Sequence, residues 1–315
     1  MSANVAAIVV SYNVRELLLA CLASLEAARR RGELSTIVVV DNASHDGSAD
    51  AARCEFPTVT VIEAPNNGYG AGANVGIAAT NEEYLLILNP DTVVQPGSVA
   101  ELTRYLNSHP EVGLVGPRLR YPDGSIQPTR RRFPQRLTPL FESTIFERWW
   151  PGNPWSRHYH LRDVPDDGPQ EVDWVVGAAM LVRREAIEQA GPFDESFRMY
   201  SEEVEWCWRL RRFGWTIAYN PSAEITHHEG ASTIQNVAAR LVDFDTSRVH
   251  LANRMYGPGT ATLVRIGLLA GYAIQLAIEA SKWLVGHKRD LRRQRISHYL
   301  TALRSGLRDR NRVRP

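Results

Sequence analysis

Short apolar runs and amphipathic stretches alternate along the first 115 residues of the chain. The apolar runs are rich in Val and Ile, which is typical of buried strands. Between the first two runs, leucines recur on one face of Arg15–Arg31 and predict a helix. We predict strands at Val5–Tyr12, Thr36–Val40, Val59–Glu63, Tyr84–Leu88 and Val112–Val115, and helices at Arg15–Arg31, Ala71–Thr80 and Gly97–Asn107. This alternation is typical of an α/β fold with a mostly parallel central sheet flanked by helices.

The pattern changes over residues 118–171, which are rich in Pro, Arg and Trp and only weakly periodic. We expect a long, loop-rich segment there, of the kind that often carries a binding surface. Beyond it the periodic pattern resumes. We predict a strand at Asp173–Val182, a short helix at Arg183–Ala190, a helix at Glu202–Phe213 and a strand at Trp215–Tyr219.

Polar side chains follow several predicted strands at the point where each strand ends. Asp41, Asn66, Asn67 and Asp91 all lie just beyond such an end. Ligands of parallel sheets bind outside the carboxyl ends of the strands. The sequence therefore predicts a ligand site at this edge of the sheet.

Two residues in this sequence are candidate metal ligands. Asp91 lies in the turn Asn89-Pro-Asp-Thr92, where a carboxylate suits Mg²⁺ or Mn²⁺, although Asp is also common in turns without a metal. His227 follows a predicted strand and is either a metal ligand or a polar residue satisfied within the fold.

The segment Asn66–Asn74 carries three glycines at the start of a predicted helix. Backbone N–H groups at a helix start bind phosphate or ribose. The segment matches neither the dinucleotide fingerprint nor the P-loop pattern, so a plain turn is the alternative.

Three acidic residues, Glu202, Glu203 and Glu205, lie at the start of a predicted helix. Acids in the first turn interact favourably with the helix dipole, which is one explanation for them. Crowded carboxylates also repel one another, and this repulsion raises the pKa of one of them into the range of a general base. Both interpretations remain open from the residues alone.

Charge is unevenly distributed along the chain. The sequence has 36 Lys and Arg and 35 Asp and Glu, a net charge of +1. Residues 282–315 hold 11 basic and 2 acidic residues, which leaves +9 on this tail and −8 on the remainder. Such a tail suits an anionic surface, although a solvated terminal helix would also explain it.

Composition narrows the cellular context. Three cysteines are too few for a disulfide framework, and no secretory signal precedes the first strand, so we expect a reducing compartment. No long uninterrupted apolar run is present, and we therefore do not expect a simple membrane span.

Six segments, taken in order, resemble the family-2 inverting glycosyltransferases. They are Ile8–Asn13, Val39–Ser44 with Asp46–Ser48, Asn66–Gly70 with Asn74, Leu86–Thr92, Gly177–Arg184, and Phe193–Glu195 with Met199–Arg209. The resemblance covers about residues 4–235. It implies the nucleotide-diphospho-sugar transferase (GT-A) fold and a divalent cation, Mg²⁺ or Mn²⁺. Within the family the chain is most similar to rhamnosyltransferases, because of the Asn-Pro-Asp-Thr turn, the Asn153-Pro-Trp155 segment and the basic tail.

The resemblance also implies roles for individual residues. It makes Glu203 the catalytic base, with Glu202 as the alternative, and Asp91 and His227 the metal ligands. It assigns Trp174 and Gly177 to the region of the donor sugar and acceptor. The residues implied to line the nucleotide pocket are Tyr12, Asp41, Asn66, Asn67, Asn74 and Asn89. Two positions depart from the family pattern, since Asn89 replaces the first Asp of the metal motif and Glu203 replaces the usual Asp.

We expect residues 1–250 to form the GT-A domain, with a nucleotide-binding half over about 1–116 and an acceptor half over 117–250. Residues 251–315 are expected to form a helical, basic extension that associates with an anionic membrane surface. Its apolar stretch Ala261–Gly286 carries a polar stripe that includes Tyr272, Gln275 and Glu279, which suits a helix lying in the membrane interface. The alternative is a helix packed on the catalytic domain or in a homodimer.

The resemblance implies transfer of a sugar from a nucleotide donor to a hydroxyl of a lipid-linked saccharide, peripherally on the cytoplasmic side of the cell membrane. No nucleic-acid partner is expected. The favoured donor is dTDP-L-rhamnose, and a UDP donor of galactofuranose or another hexose is the alternative. A nucleotidyltransferase would carry a Gly-rich basic loop where Ser11–Arg15 stands, and a non-catalytic membrane-bound scaffold would lack acids such as Asp41, Asp91 and Glu203.

Overall fold

The computed structural model describes residues 4–228 and 237–308. The strands are β1 Val5–Ser11, β2 Thr36–Asp41, β3 Thr60–Glu63, β4 Tyr84–Leu88, β5 Thr92–Val94, β6 Val112–Arg120, β7 Ile126–Gln127, β8 Arg130–Arg131, β9 Gln170–Val172, β10 Trp174–Val175, β11 Ala179–Arg183 and β12 Thr216–His227. The helices are α1 Arg15–Arg30, α2 Ser48–Glu55, α3 Tyr69–Ala78, α4 Ser98–Ser108, α5 Thr138–Phe141, α6 Ile145–Trp149, α7 Pro154–Tyr159, α8 Arg184–Ala190, α9 Glu202–Arg212, α10 Val237–Tyr256, α11 Pro258–Leu284 and α12 Arg289–Ser305.

The described chain divides into two compact units. The sheet unit comprises residues 4–133, 164–198 and 202–228, and the helical unit comprises 134–163, 199–201 and 237–308. The sheet unit contains all of the strands and the candidate site. The helical unit contains residues 134–163 of the loop-rich middle segment and the C-terminal helices.

A ten-stranded sheet organises the sheet unit, with the order β3-β2-β1-β4-β11-β6-β12-β5, while β7 pairs with β6 and β9 with β12. β3, β2, β1, β4, β6 and β12 run in one direction, and the others are antiparallel to them. Every residue of β1 and β4 is buried, because helices cover both faces of a parallel sheet and leave no polar side to such strands. The mostly parallel α/β sheet expected from the sequence is confirmed.

The helices pack on the sheet through the faces that the pattern predicted. In α1, Leu18, Cys21, Leu22 and Leu25 are completely buried in the main core with strands β1, β2 and β4. Their spacing is i, i+3, i+4 and i+7, so a single stripe of the helix meets the sheet.

Two predicted strands differ from the structure. Asp173–Val182 is not one strand, since β10 pairs with β8 in a separate two-stranded sheet and β11 enters the central sheet. The predicted strand Trp215–Tyr219 is too short, because β12 continues to His227 through an irregularity between Asn220 and Glu224. The register shift there accommodates Pro221, which has no N–H to donate to the sheet.

The helical unit has a core of its own. Val249, Ala252, Val264, Leu268 and Ala302 are among its buried residues and come from α10, α11 and α12. Within residues 118–171, which we expected to be loop-rich, the short helices α5, α6 and α7 also belong to this unit. The last seven residues of the basic tail, 309–315, lie outside the described residues.

Helix α11 is the one helix in the described chain that is long and apolar enough to cross a membrane. This property concerns length and composition only, so the expectation that the chain has no simple membrane span stays a prediction. The expected polar stripe needs correction, because Tyr272 and Glu279 are buried within the helical unit rather than facing water. Leu263 and Ile266, in contrast, are exposed on the outer face of α11.

Candidate functional site

The first side of the candidate site is formed where β1 and β2 end. Ser11 and Asp41 are register partners at these ends. One carboxylate oxygen of Asp41, Oδ2, accepts a hydrogen bond from the Ser44 backbone N–H at 2.9 Å. The other, Oδ1, is buried and has no hydrogen-bond partner in the described structure. This oxygen is therefore available to accept a hydrogen bond from a ligand.

The residues predicted to line the nucleotide pocket differ in their exposure and in their hydrogen bonds to the rest of the protein. Tyr12 is exposed, as are Asn66 and Asn67 in the loop before α3. Asn89 is half-buried. Asn74 uses both ends of its amide on the protein, since its Nδ2 donates to Phe193 O at 3.0 Å and its Oδ1 accepts from Phe193 N at 2.9 Å. The role of all these residues in nucleotide binding stays a prediction.

The glycines of the same segment permit close packing. Gly68 has φ +112°, and a Cβ there would lie 2.2 Å from Arg198 O. A Cβ at Gly72 would lie 2.7 Å from Asn42 Oδ1. The glycines thus let α3 begin directly against the neighbouring backbone and β2, which favours the turn interpretation of their spacing.

A second side of the site brings Asp91 and His227 together. Asp91 lies between β4 and β5, and His227 is the last residue of β12, where it pairs with Thr92 of β5. His227 Nε2 lies 3.3 Å from Asp91 Oδ1, outside hydrogen-bond geometry. Asn89 Nδ2 lies 3.5 Å from the same ring nitrogen.

Gln127, in β7, is a site residue that sequence reasoning missed. Its Oε1 lies 2.9 Å from His227 Nδ1, and both residues are buried. Because an amide oxygen only accepts hydrogen bonds, Nδ1 carries the ring proton, and Nε2 keeps its lone pair, close to both Asp91 and Asn89. No local signal marked Gln127, since it lies in a two-residue strand 100 residues away from His227 along the chain.

The donor set at Asp91 and His227 fits a divalent cation in part. A buried carboxylate oxygen without a hydrogen-bond partner lies beside an imidazole nitrogen whose tautomer is fixed by Gln127. No group of three His, Cys, Asp or Glu side chains suited to a metal occurs among residues 4–228 and 237–308. A cation here would therefore complete its coordination with substrate oxygens and water, as Mg²⁺ commonly does.

The third side of the site is the start of α9, where the three glutamates have different environments. Glu202 is buried, and its Oε2 has no hydrogen-bond partner in the described structure. Burial, together with the charge of Glu203, raises the pKa of Glu202 well above its ordinary value. Glu203 is half-buried. Glu205 is fully buried and forms an ion pair with Arg209 at 2.9 Å.

Gly177 lies directly against Glu203, because a Cβ at Gly177 would be 3.4 Å from both Cβ and Cγ of the glutamate. The break between β10 and β11 falls here. Trp174, the other residue predicted for the acceptor and donor-sugar region, is buried and donates from Nε1 to Arg132 O at 3.0 Å. Its predicted role and that of Gly177 stay predictions.

Tyr69, at the start of α3, links the acidic residues of the second and third sides. Burial, followed by the negative charges of Glu202, Glu203 and Asp91, raises the pKa of Tyr69. Its hydroxyl donates to Gly177 O at 3.2 Å. The acids of α9 and the Asp91 carboxylate therefore face one region, which can hold a cation on one side and a proton acceptor on the other.

The chain is similar in sequence to a known protein family and to a characterised relative. The sequence model of the family described as Glycosyl transferase family 2 matches residues 6–191. The chain is 35% identical over 250 residues to the N-acetylglucosaminyl-diphospho-decaprenol L-rhamnosyltransferase of Mycobacterium tuberculosis. That alignment covers 75% of this chain and 80% of the relative.

Two solved structures have a similar fold. Mannosyltransferase PcManGT from Pyrobaculum calidifontis, in complex with GDP-Man and Mn²⁺, has a TM-score of 0.56 at 16% identity, over 98% of this chain and 88% of that one. GalNAc-T7 with UDP, GalNAc and Mn²⁺ has a TM-score of 0.58 at 13% identity, over 96% of this chain and 55% of that one. At these identities the likeness concerns the fold alone, and it confirms the GT-A fold expected from the sequence.

Proposed function

Because the chain belongs to glycosyl transferase family 2 and is a glycosyltransferase, we propose that it transfers L-rhamnose from dTDP-L-rhamnose to a polyprenyl-diphosphate-linked saccharide, with inversion at the anomeric carbon. The observation that carries the proposal is the 35% identity to a decaprenol-linked N-acetylglucosamine rhamnosyltransferase over 75% of this chain. A UDP donor of galactofuranose or another hexose is the alternative within the same family.

Asp91 and His227 are proposed as the protein ligands of a divalent cation, Mg²⁺ or Mn²⁺. When bound, such a cation stabilises the negative charge that develops on the leaving nucleoside diphosphate. One carboxylate oxygen and one imidazole nitrogen form a mixed donor set that suits Mn²⁺ and leaves positions for diphosphate oxygens. Gln127 holds the imidazole so that Nε2 is presented to this position. Asn89, in place of the family's first Asp, contributes no charge to it.

Asp41 is proposed to bind the pyrimidine base of the donor. Its buried Oδ1 has no partner in the described structure and would accept a hydrogen bond from the base N–H. Tyr12, Asn66 and Asn67 are proposed to line the same nucleotide pocket. Asn74 would act indirectly, because its amide fastens α3 to the Phe193 backbone.

Glu203 is proposed as the general base. It is half-buried, so an acceptor hydroxyl can approach it, and its carboxylate takes the hydroxyl proton as the oxygen attacks the anomeric carbon. The nucleoside diphosphate then leaves from the opposite face. Glu202 is buried, and burial together with the charge of Glu203 raises its pKa; it is less accessible to an acceptor hydroxyl than Glu203 and stays the alternative base.

The domain arrangement is proposed as a glycosyltransferase domain over residues 1–250, with halves of about 1–116 and 117–250, followed by an extension over 251–315. The extension would hold the enzyme peripherally at the cytoplasmic face of the membrane, where a lipid-linked acceptor resides. The exposed apolar face of α11 and the basic residues of the tail support this role.

A donor panel tests the proposal. The full-length enzyme would be incubated with Mn²⁺, farnesyl-diphosphate-linked N-acetylglucosamine, and dTDP-L-rhamnose, UDP-galactofuranose or UDP-glucose, and products read by mass spectrometry. We expect a rhamnosylated product from dTDP-L-rhamnose that is absent with Asp91→Asn. A product from a UDP donor alone would establish the alternative instead.

A further inference from the structure

A groove runs across the helical unit, and none of the residues assigned above lines it. It consists of two cavities of about 270 and 160 Å³, both lined by Ile145, Arg148, Gln275 and Tyr299. Its walls are formed by α6, α10, α11 and α12. Ligand pockets commonly have volumes of ~300–1,000 Å³, so the two cavities together have room for part of an extended ligand.

The larger cavity of this groove is mainly apolar. Phe146 and Leu268 line it, and Gly267 lets α11 approach α5 closely, since a Cβ there would lie 2.4 Å from Leu140 Cδ2. A Cβ added at Gly271 would meet only Ile145 Cγ2 and Phe146 Cε2, each at 3.7 Å, which is ordinary van der Waals contact. An alanine would therefore fit at position 271, and the helical unit can pack without the free volume beside Gly271.

The smaller cavity has a basic border. Arg148, Lys282 and Arg295 line it, together with one acid, Glu279. Glu279 is already bonded to Arg292 at 2.6 Å, and it lies farther from Arg295 and Lys282, at 3.6 and 4.0 Å. The Glu279 carboxylate thus faces three cations, and with Arg148 also lining the cavity the border keeps a net positive charge.

The surface around the groove is rich in exposed apolar side chains. Eight of the thirteen large apolar side chains that are exposed in the described chain belong to the helical unit. Trp149 and Trp283 are 59% and 41% exposed, and Trp149 lines the smaller cavity. Exposed Trp beside basic residues is typical of a membrane–water interface.

We propose that this groove binds the lipid part of the acceptor, with the first isoprene units in the apolar cavity and the diphosphate at the border formed by Arg148, Lys282 and Arg295. This inference rests on the proposed function, which supplies a lipid-linked acceptor. An isoprenoid diphosphate consists of an apolar chain joined to a compact group with a double negative charge. In the groove, the apolar cavity likewise adjoins the basic border. A nucleotide would leave the apolar cavity unused, and a free phosphate would need only the border.

Binding of farnesyl diphosphate to the full-length protein tests the inference without using catalysis. Arg148→Gln should weaken this binding by about tenfold or more, since a charge-assisted contact is lost. Arg293→Gln makes the same charge change on the exposed side of α12, outside the groove, and should leave the affinity unchanged. Farnesol, which lacks the diphosphate, should bind more weakly than farnesyl diphosphate to the unaltered protein.

A second variant tests the apolar cavity. Gly271→Ala fits the packing and favours the helix by about 1 kcal/mol, so the protein should remain folded while the narrowed cavity binds farnesyl diphosphate less tightly. Equal affinities in all variants, or equal losses in Arg148→Gln and Arg293→Gln, would overturn the inference. Equally effective competition by dioleoyl phosphatidylglycerol would also overturn it, because the site would then be a general lipid surface. Failure of the donor panel, with these binding results intact, would count against the proposed rhamnosyl transfer rather than against the groove.

Discussion

Three acidic side chains within four residues show how neighbours in the sequence acquire different properties in the fold. Glu205 is neutralised by Arg209 inside the protein, so it contributes to the structure of α9. Glu202 is desolvated beside a second carboxylate, and these two effects raise its pKa. Glu203 is half-buried against Gly177. The acid that an acceptor can reach is thus the one proposed as the base.

If Glu203 accepts the hydroxyl proton, Glu203→Gln should lower kcat by ~10²–10⁴-fold, because the amide cannot take the proton. The Kd for dTDP, measured by calorimetry, should change little. Glu16→Gln, at an exposed position of α1, is the matched control. A variant with near-normal kcat would exclude Glu203 as the base.

The raised pKa of Glu202 predicts a pH dependence of stability. Between the ordinary Glu pKa in the unfolded chain and the higher pKa in the folded protein, the folded state binds more protons. The free energy of unfolding should therefore decrease as pH rises through this interval. Glu202→Gln removes this titrating group. The variant should therefore have a higher Tm than the parent at neutral pH, and its Tm should not show this decrease as pH rises. Thermal unfolding across the pH range checks this, with Glu55→Gln on the exposed surface of α2 as control; parallel Tm curves would contradict it.

Gln127 is a positioning residue, since it acts on the proposed cation only through His227. Gln127→Leu removes the acceptor for Nδ1, and the affinity for Mn²⁺ in the presence of dTDP should fall by about 10–100-fold. Gln127→Glu retains an acceptor oxygen and should restore part of the affinity. A Mn²⁺ titration followed by electron paramagnetic resonance distinguishes these outcomes, and unchanged binding in Gln127→Leu would remove the residue from the site.

At the scale of elements, helix α10 contacts the turn that precedes Glu202 and Glu203. Tyr200 and Ser201 have φ +68° and +67°, a left-handed conformation that costs roughly 1–2 kcal/mol for each non-glycine residue. Ser247 Oγ of α10 donates to Met199 O at 2.7 Å, and the Phe244 ring packs edge-on against Tyr200 at 5.4 Å. The chain then continues directly into Glu202. These contacts stabilise the turn in a conformation that it would not adopt alone.

Ser247→Ala should let this turn relax and displace the start of α9. We expect kcat to fall, by up to about 100-fold for a misplacement near 1 Å, while the Kd for dTDP is nearly unchanged. Ser281→Ala removes a similar hydroxyl from the exposed side of α11 and serves as control. A purely structural role for Ser247 would instead lower the free energy of unfolding with kcat intact.

At the scale of the whole molecule, charge is separated along the chain. The tail that begins at Lys282 carries +9 and the remainder −8. Within α12, Arg289, Arg293 and Arg304 are exposed, so their charges are available to an anionic surface. Each basic residue near such a membrane contributes about 1 kcal/mol of attraction.

Replacing Arg289, Arg293 and Arg304 together by Gln should weaken sedimentation with phosphatidylglycerol vesicles by about two orders of magnitude at low salt. Vesicles of phosphatidylcholine should show little difference between the proteins. The same triple change at Arg15, Arg53 and Arg104 of the sheet unit lowers the net charge by the same amount, so it tests whether the position of the lost charges matters. Equal losses in the two triple variants would rule out a membrane contact specific to α12.

The sequence by itself determined the local elements and the chemical inventory of the site. Strands β1, β2 and β4 were evident because nearly all of their residues are apolar and buried, a pattern that depends only on neighbouring residues. The positions of Asp41 and Asp91 followed, since both come at strand ends. Six motifs in order were then enough to indicate the family and the GT-A fold.

Only the tertiary structure decided which of these residues meet and in what state. Asp91 and His227 become neighbours because β12 extends past Pro221 to pair with β5, and Gln127 joins them from a strand of two residues. Glu202 and Glu203 also have different neighbours from distant parts of the chain, since Gly70 lies beside Glu202 and Gly177 beside Glu203. Such contacts depend on strand pairing and burial between residues that are far apart in the sequence. Hydrophobic periodicity reflects only neighbouring residues, so it does not reveal these contacts.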